Sequence, residues 1–326
     1  MSGARARFPP TVAVVGPTGT GKTGLAAALA DRYACRLISC DAVQVYRGLD
    51  AATAKPSGAE RRHRWALVDW LPPERDADLG RWVRAAEAEL VEAARRDELP
   101  VVVGGTGLYL RGLAKGVTPA PRRRPELRAR LDAIARRRGV PFLHRMLRRI
   151  DPEAAARLRP GDRQRIVRAL EVRLVDPASR PAPLQTDWRG PDRFPLLRLG
   201  LRLPRERLAE RLDARVEEFF AAGLVDEVRR LLGQGVPRSA NALKAIGYRE
   251  VVAWLEEGGA PDRLPQVIEL VKRNTRRYAK RQMTWFRGEP GVRWLEADAP
   301  GLVDAAERIV IEWLREIGAR EPRRRL

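Results

Sequence analysis

Short apolar runs alternate with longer amphipathic ones over the first hundred residues. Thr11-Val12-Ala13-Val14-Val15 offers no polar face, which predicts a strand buried on both sides. Arg36-Leu37-Ile38-Ser39-Cys40 and Pro100-Val101-Val102-Val103 predict two more strands. Helical patterning runs from Gly21 to about Tyr33 and again from Leu79 to Arg95. Strand, helix, strand at this rhythm predicts a parallel sheet with helices on both faces. Leu196 to Leu203 predicts a further strand. Helices are predicted over 205–222, 224–233, 242–257 and 262–286, then a short strand at Val292-Arg293-Trp294-Leu295 and a closing helix over 301–317. No internal repeat is present, and the basic end from Arg320 to Leu326 is expected to fray.

The middle of the chain has a different pattern. Pro125-Glu126-Leu127-Arg128 opens a helix whose apolar stripe is Leu127, Leu131 and Ile134. Phe142, Met146 and Ile150 predict a second stripe, and Ile166, Leu170 and Leu174 a third, with Gly161-Asp162 as its cap. The proline-rich stretch from Pro177 to Pro195 reads as a linker that closes this helical unit. Between Arg122 and Arg173 there are 17 arginines and six acids, a local charge of +11.

That stretch holds about half of the net charge of +21, carried by 63 Lys and Arg against 42 Asp and Glu in 326 residues. Only six of the bases are lysine. Genome composition can exchange Lys for Arg, but it does not create an excess of bases over acids. The excess points to a polyanionic partner, against the blander alternative of a solvated basic surface. A length of 326 residues suits about two domains. No run of ~18 apolar residues predicts a membrane span. Met1 to Pro10 lacks the apolar stretch of a secretory signal. Cys35 and Cys40 are the only cysteines, which excludes a disulfide framework and a cysteine-based zinc finger and suggests a reducing cytoplasm.

The clearest chemistry lies just after the first strand. Gly16-Pro17-Thr18-Gly19-Thr20-Gly21-Lys22-Thr23 matches GxxxxGK[ST] in full and opens a helix. Its glycines let backbone N–H groups converge on phosphate oxygens, and the helix N-terminus adds partial positive charge. Lys22 is placed to reach the outer phosphate, and the Thr23 hydroxyl to hold Mg²⁺. The motif specifies a di- or triphosphate, not ATP in particular. The apolar strand Val101–Val103 runs into Gly104-Gly105-Thr106 and carries no terminal acid of the kind hydrolytic motors use. The second strand ends in Asp41. In open α/β sheets ligands lie beyond the carboxyl ends of strands, so Asp41, Thr18–Thr23 and Gly104–Thr106 should face one crevice. There Asp41 could bind Mg²⁺, act as a general base, or simply cap a turn.

Seven blocks in order resemble the tRNA dimethylallyltransferases: Gly16–Thr23, Asp41-Ala42-Val43-Gln44-Val45-Tyr46-Arg47-Gly48-Leu49-Asp50, Thr53-Ala54-Lys55-Pro56, Gly104–Tyr109, Asp162–Glu171, Gly247-Tyr248-Arg249-Glu250 and Lys280–Arg287. The resemblance implies transfer of a dimethylallyl group from its diphosphate to N6 of the adenosine 3′-adjacent to the anticodon. It implies an α/β fold with a P-loop-like parallel sheet and flanking helices over 1–115 and 196–326, and an inserted all-helical, tRNA-binding domain over 116–195. It further implies that Gly16, Pro17, Thr18, Gly19, Thr20, Gly21, Lys22 and Thr23 cradle the diphosphate, with Mg²⁺ at Thr23. Asp41 becomes the general base on N6, Thr106 orients the adenine, and Arg215 helps Lys22 hold the diphosphate. The tRNA contacts carried over are Asp41, Ala42, Val43, Gln44, Thr106, Arg128, Gln164, Arg165, Ile166, Val167, Arg168, Gly247, Tyr248, Arg249, Lys280, Arg281 and Gln282. The expected partners are tRNA and dimethylallyl diphosphate, with no membrane, and the expected state is a cytoplasmic monomer.

Three positions depart from the family pattern. Ala42 stands where serine is common, Trp65-Ala66 where a His-His pair is, and Arg163 where proline is. Two other functions share the phosphate loop: prenylation of free adenine nucleotides, which needs no basic insert, and a small-molecule kinase that binds ATP there. A guanine-binding module has no support, because Asn-Lys-x-Asp is absent.

The charge distribution makes tRNA affinity steeply salt-dependent. Replacing Arg122, Arg123, Arg124 and Arg128 by Gln is expected to lower the log–log salt slope by roughly 0.7–0.9 for each phosphate no longer neutralised. Binding titrations from low to moderate salt measure this, and an unchanged slope assigns these arginines to solvent alone.

Overall fold

A computed structural model describes residues 8–117, 121, 124–176, 188 and 190–325. Arg122, Arg123 and most of the expected linker lie outside the described residues. In chain order the elements are β1 (Thr11–Val15), α1 (Lys22–Arg32), β2 (Cys35–Ser39), β3 (Trp65–Ala66), α2 (Leu79–Arg95), β4 (Leu99–Gly104) and α3 (Gly107–Lys115). Next come α4 (Pro125–Arg138), α5 (Val140–Ile150), α6 (Pro152–Ala156) and α7 (Arg163–Val175). The chain continues through β5 (Leu196–Arg202), α8 (Arg205–Ala221), α9 (Leu224–Gly233), α10 (Tyr248–Glu256), α11 (Leu264–Arg287), β6 (Val292–Glu296) and α12 (Leu302–Glu316). The chain forms two compact units: Met1–Ala114 with Asp192–Leu326, and Lys115–Pro191.

The first unit is built on one parallel sheet in the order β3-β2-β4-β1-β5-β6. β1, β2 and β4 are buried along their whole length, as apolar runs require of a parallel sheet covered on both faces. Val12, Val14, Leu37, Val101, Val103, Leu199 and Leu201 point to one face, where α1 and α12 cover them with Leu25, Ala26, Val310 and Trp313. On the other face α2 buries Trp82, whose indole N–H donates to the Ser39 carbonyl at 3.1 Å. β1 lies between β4 and β5, so the chain leaves it toward one side of the sheet and returns on the other. That reversal opens a crevice at the carboxyl ends, beside the turn from β1 to α1.

Several local expectations need correction. Two elements go beyond what the pattern predicts: α3 opens at Gly107, and Trp65-Ala66 adds an edge strand. The helix expected over 242–257 begins only at Tyr248, because Gly247 adopts φ 93 and breaks it from the 3₁₀ turn Ala242–Lys244. The C-terminal end is held to the first unit as far as Arg325. The Ala34 N–H donates to the Arg323 carbonyl at 2.8 Å and the Arg325 N–H to the Arg32 carbonyl at 2.9 Å. Arg324 bridges to Tyr33, and Arg323 and Arg320 pair with Asp97. Charged residues without an apolar stripe look mobile in sequence, yet here they pair with acids from elements distant in the chain.

The second unit is a small helical module with its own core of Leu131, Leu143, Leu147, Leu158, Ile166 and Leu170. Asp162 caps α7, accepting from the Arg165 N–H, as expected. The α5 stripe is displaced by one residue. Leu143 and Leu147 are fully buried, whereas Phe142 and Met146 flank them and Ile150 is 39% exposed. The Phe142 ring is covered by the guanidinium groups of Arg138 and Arg145, with centroid distances of 4.8 and 5.5 Å. Leu174, expected to close the third stripe, is 48% exposed at the end of α7. Leu147→Ala is therefore expected to cost ~2–5 kcal/mol, and Ile150→Ala about 0.5 kcal/mol or less. Denaturant unfolding of the two variants measures the difference, and equal costs would restore the displaced stripe.

Candidate active site

The phosphate loop ends at Gly21, which caps α1 in the left-handed region at φ 78 with no side-chain hydrogen bond to the first turn. The N–H groups there are left for a ligand, and the helix dipole favours an anion. Thr20 Oγ1 donates to the Pro17 carbonyl at 2.9 Å and fixes the loop from inside. Lys22 Nζ donates to the same carbonyl at 2.6 Å. Desolvation pulls the Lys22 ammonium down from its ordinary 10.5 to about 8. Asp41 opposes that shift, and Arg215 adds to it. An anion in the loop would reverse it.

Asp41 follows β2. Its Oδ1 accepts from the N–H groups of Val43 at 2.8 Å and Gln44 at 3.3 Å. The carboxylate therefore does cap a turn, but with one oxygen only. Among the described residues no hydrogen bond occupies Oδ2, which remains free to act as an acceptor. Thr106, at the end of β4, accepts the Ala42 N–H at 3.1 Å on its hydroxyl, and its own N–H donates to the Cys40 carbonyl at 3.2 Å. The Asp41 turn and the Thr106 loop are thus one braced structure. Arg215 reaches the same region from α8, with its guanidinium 5.6 Å from the Phe219 ring centre. Burial lowers the Arg215 pKa, while Glu218 and Asp41 act against the shift. Lys22, Asp41 and Arg215 consequently share one electrostatic environment.

Helix α11 backs this site, which the local sequence pattern does not foretell. Tyr278 reaches the Thr106 side chain, and burial pushes its phenol pKa up. Gln282 Oε1 accepts the Thr18 N–H at 2.9 Å, while its Nε2 donates to the Gly105 carbonyl at 2.9 Å. The spacing 278, 282, 285 marks one helix face, but the polar Gln282 at its centre breaks the apolar pattern that would announce it.

Other expected tRNA contacts are committed to the protein. Gln44 holds the chain at Thr53 and Ala54, donating to their carbonyls at 3.3 and 2.7 Å. Tyr248 is fully buried and donates to Glu227 at 2.5 Å; Glu227 in turn accepts from the Asp50 and Ala51 N–H groups. The Gly247 N–H donates to Glu250. The Lys55 ammonium is buried between Asp50, Asp69 and the Tyr46 carbonyl. Ile166 and Val167 belong to the core of the helical module. Tyr248, Gln282, Ile166 and Val167 therefore offer tRNA no free polar group. Arg249, Lys280 and Arg281 remain exposed. In the helical module, Arg128 grips the buried Glu171 with two bonds of 3.0 and 2.9 Å, and Arg168 lies 3.7 Å from the same carboxylate. Gln164 and Arg165 stand exposed on the first turn of α7.

Magnesium fits as an ion shared with a phosphate ligand. No group of three or more His, Cys, Asp or Glu is arranged for a metal among the described residues. Mg²⁺ commonly takes one or two protein oxygens and completes its shell with phosphates and water. Thr23 in the first turn of α1 and the Asp41 carboxylate are the oxygen donors beside the loop.

A glycine loop opening a helix at the switch point of a parallel sheet defines a P-loop-like α/β protein. The chain belongs to the IPP transferase family, whose model matches residues 44–289; an isopentenyl transferase model also matches residues 10–65. A tRNA dimethylallyltransferase of Thermomicrobium roseum is 42% identical over 318 residues, covering 94% of this chain and 92% of the relative. One from Anaeromyxobacter dehalogenans is 45% identical over 291 residues, covering 87% and 94%. Among solved structures, the tRNA isopentenylpyrophosphate transferase of Bacillus halodurans aligns with a TM-score of 0.70 at 33% identity, covering 95% of this chain and 98% of that one. A eukaryotic dimethylallyltransferase acting on tRNA shares the fold, with a TM-score of 0.78 at 23% identity over 95% of this chain and 80% of its own.

The lowered Lys22 pKa has a measurable consequence. Above about pH 8 the free ammonium loses its proton, and an anion must recharge it on binding. Inorganic pyrophosphate binding is thus expected to take up protons, and its affinity to fall by up to about tenfold per pH unit above that value. Calorimetry in buffers of different ionisation enthalpy reads the uptake. Lys22→Met, which has nothing to recharge, is the control for the ionisation of pyrophosphate itself. Equal uptake by both proteins would remove Lys22 from the phosphate site.

Proposed function

We propose that the protein transfers a dimethylallyl group from dimethylallyl diphosphate to N6 of the adenosine 3′-adjacent to the anticodon of tRNA, releasing diphosphate. The observation that carries this reading is the convergence of Lys22, Arg215 and a half-free Asp41 carboxylate beside a glycine loop. A phosphate loop facing a carboxylate suits a reaction in which an anion leaves as a proton is taken.

The N6 lone pair bonds to the first carbon of the dimethylallyl group as the carbon–oxygen bond to diphosphate breaks. That bonding pair stays with the diphosphate, whose growing charge meets the loop N–H groups, Lys22 and Arg215. Asp41 Oδ2 takes the N6 proton, which makes a poor exocyclic nucleophile competent. Thr106, held by the Ala42 N–H, orients the adenine once it has left the base stack, at a cost of a few kcal/mol. Thr23 would hold a Mg²⁺ ion beside the diphosphate, where the ion would supply further charge neutralisation. The arginine-rich module binds the anticodon stem through phosphates, with Gln164 and Arg165 exposed on the first turn of α7. The protein works as a monomer in the cytoplasm, where tRNA resides.

The test incubates the protein with labelled dimethylallyl diphosphate and unmodified tRNA. Label on the tRNA is expected, with none on AMP and no ATP consumed. Label on AMP alone would favour the free-nucleotide enzyme, and stoichiometric ADP release without a prenylated RNA would favour a kinase. Asp41→Asn is expected to lose ~10²–10⁴ in turnover with tRNA affinity changed only a few-fold. Retention of more than half the turnover would remove Asp41 from the base role.

A further inference from the structure

Two loops must be held in register for this reaction: the phosphate loop after β1 and the Thr106 loop after β4. β1 and β4 are neighbours in the sheet, and their ladder ends at Val15 and Gly104. Beyond it the ladder no longer joins the two loops, with the Thr18 N–H on one and the Gly105 carbonyl on the other. The carboxamide of Gln282 fills the gap. It accepts from one loop and donates to the other, each at 2.9 Å, and the residue is only 5% exposed. The amide orientation is fixed by chemistry, since the reversed one would set donor against donor and acceptor against acceptor. The local sequence makes room for it. A Cβ on Gly105 would lie 2.0 Å from Gln282 Nε2, and one on Gly107 would lie 2.1 Å from Trp285 Nε1. Gly105 and Gly107 therefore clear a path for α11, while Gly104 makes room for the Cys40 carbonyl.

We propose that Gln282 is a positioning residue: its carboxamide sets the separation between the diphosphate loop and the loop that carries Thr106, and so aligns donor and acceptor for transfer. It contacts neither substrate. Each loop keeps its own ligand-binding groups without it, but the two ligands lose their common frame. Misplacement of reacting groups by about 1 Å can cost on the order of 10²-fold in rate. The signature is a fall in kcat with both affinities retained, whereas an RNA-contacting residue would mainly change tRNA affinity.

The inference rests on the proposed tRNA prenylation, and the experiment separates the two. Wild-type protein that transfers no prenyl group to tRNA overturns the functional reading. Given an active wild type, Gln282→Met fills the same space without either bond. Gln282→Glu keeps the acceptor for Thr18 but sets a carboxylate oxygen against the Gly105 carbonyl. Both are expected to lower kcat by roughly 10–100-fold, with dissociation constants for tRNA and dimethylallyl diphosphate within about threefold. Gly105→Ala pushes on the same amide from the other side. It is expected to cost less in a Gln282→Ala background than in the wild type, because the two changes act on one interaction. Retained kcat in both Gln282 variants would overturn the proposal, as would a loss confined to tRNA affinity. Should both variants fail to fold, strict additivity of Gly105→Ala and Gln282→Ala in kcat would overturn it equally.

Discussion

The site is organised around a charge imbalance. A leaving diphosphate needs cations close together, yet in the absence of ligand those cations repel one another. Lys22 lies in the field of Arg215, and Asp41 draws both toward the charged form, joined at Arg215 by Glu218. Desolvation exceeds that support, so the Lys22 ammonium gives up its proton above about pH 8 unless an anion is present. Asp41 in turn divides its oxygens, with Oδ1 holding its own turn and Oδ2 left over. A carboxylate fully enclosed by N–H donors would be a weaker base, and one with no anchor would swing toward Lys22 and close the crevice as an ion pair.

That balance requires a stiff surround. The sheet supplies most of it by ending β1, β2 and β4 side by side, so that the three turns beyond them start from fixed points. The turns are then tied to one another through side chains and main chain: Thr106 to Ala42, Gln44 to Thr53 and Ala54, Tyr248 and Glu227 to the Asp50–Ala52 turn. Many residues in the motifs that signal function therefore support the site from behind. A buried polar side chain with both ends satisfied is costly to replace, because either partner left alone pays its full desolvation penalty.

This division explains what can be read from the sequence. The phosphate loop, its following helix, the central strands and Asp41 are legible because each rests on local pattern: an apolar run, a glycine spacing, a residue at a strand end. Gln282 and Tyr248 fall within recognisable motifs, but their partners lie 177 and 21 residues away, and no local pattern carries that distance. The α5 stripe is ambiguous for a related reason. Phe142, Leu143, Met146 and Leu147 are all apolar, so two registers fit the helical period equally. Arg138 and Arg145 decide between them, covering the Phe142 ring and leaving Leu143 and Leu147 at the centre. The order of the tail beyond Arg320 is hidden because ion pairs to Asp97 and a bridge to Tyr33 have no signature in composition.

Charge counting is subject to the same limit. The helical module carries a large excess of arginine, and its sum points to a polyanion, but it does not say which arginines would meet one. Arg128 is held in two bonds by Glu171, a carboxylate 1% exposed, with Arg168 beside it. A buried carboxylate so placed keeps two long side chains in fixed geometry, at the expense of part of their charge. Arg165, by contrast, is 64% exposed and lies 3.5 Å from Asp162, the acid that caps its own helix. The module thus combines arginines of two kinds, one held against a buried carboxylate, the other exposed at the surface. Phosphate attraction, which is long-ranged and tolerant of geometry, suits the second kind. Contacts that require a set orientation suit the first, so Glu171 shapes the module's surface without being part of it.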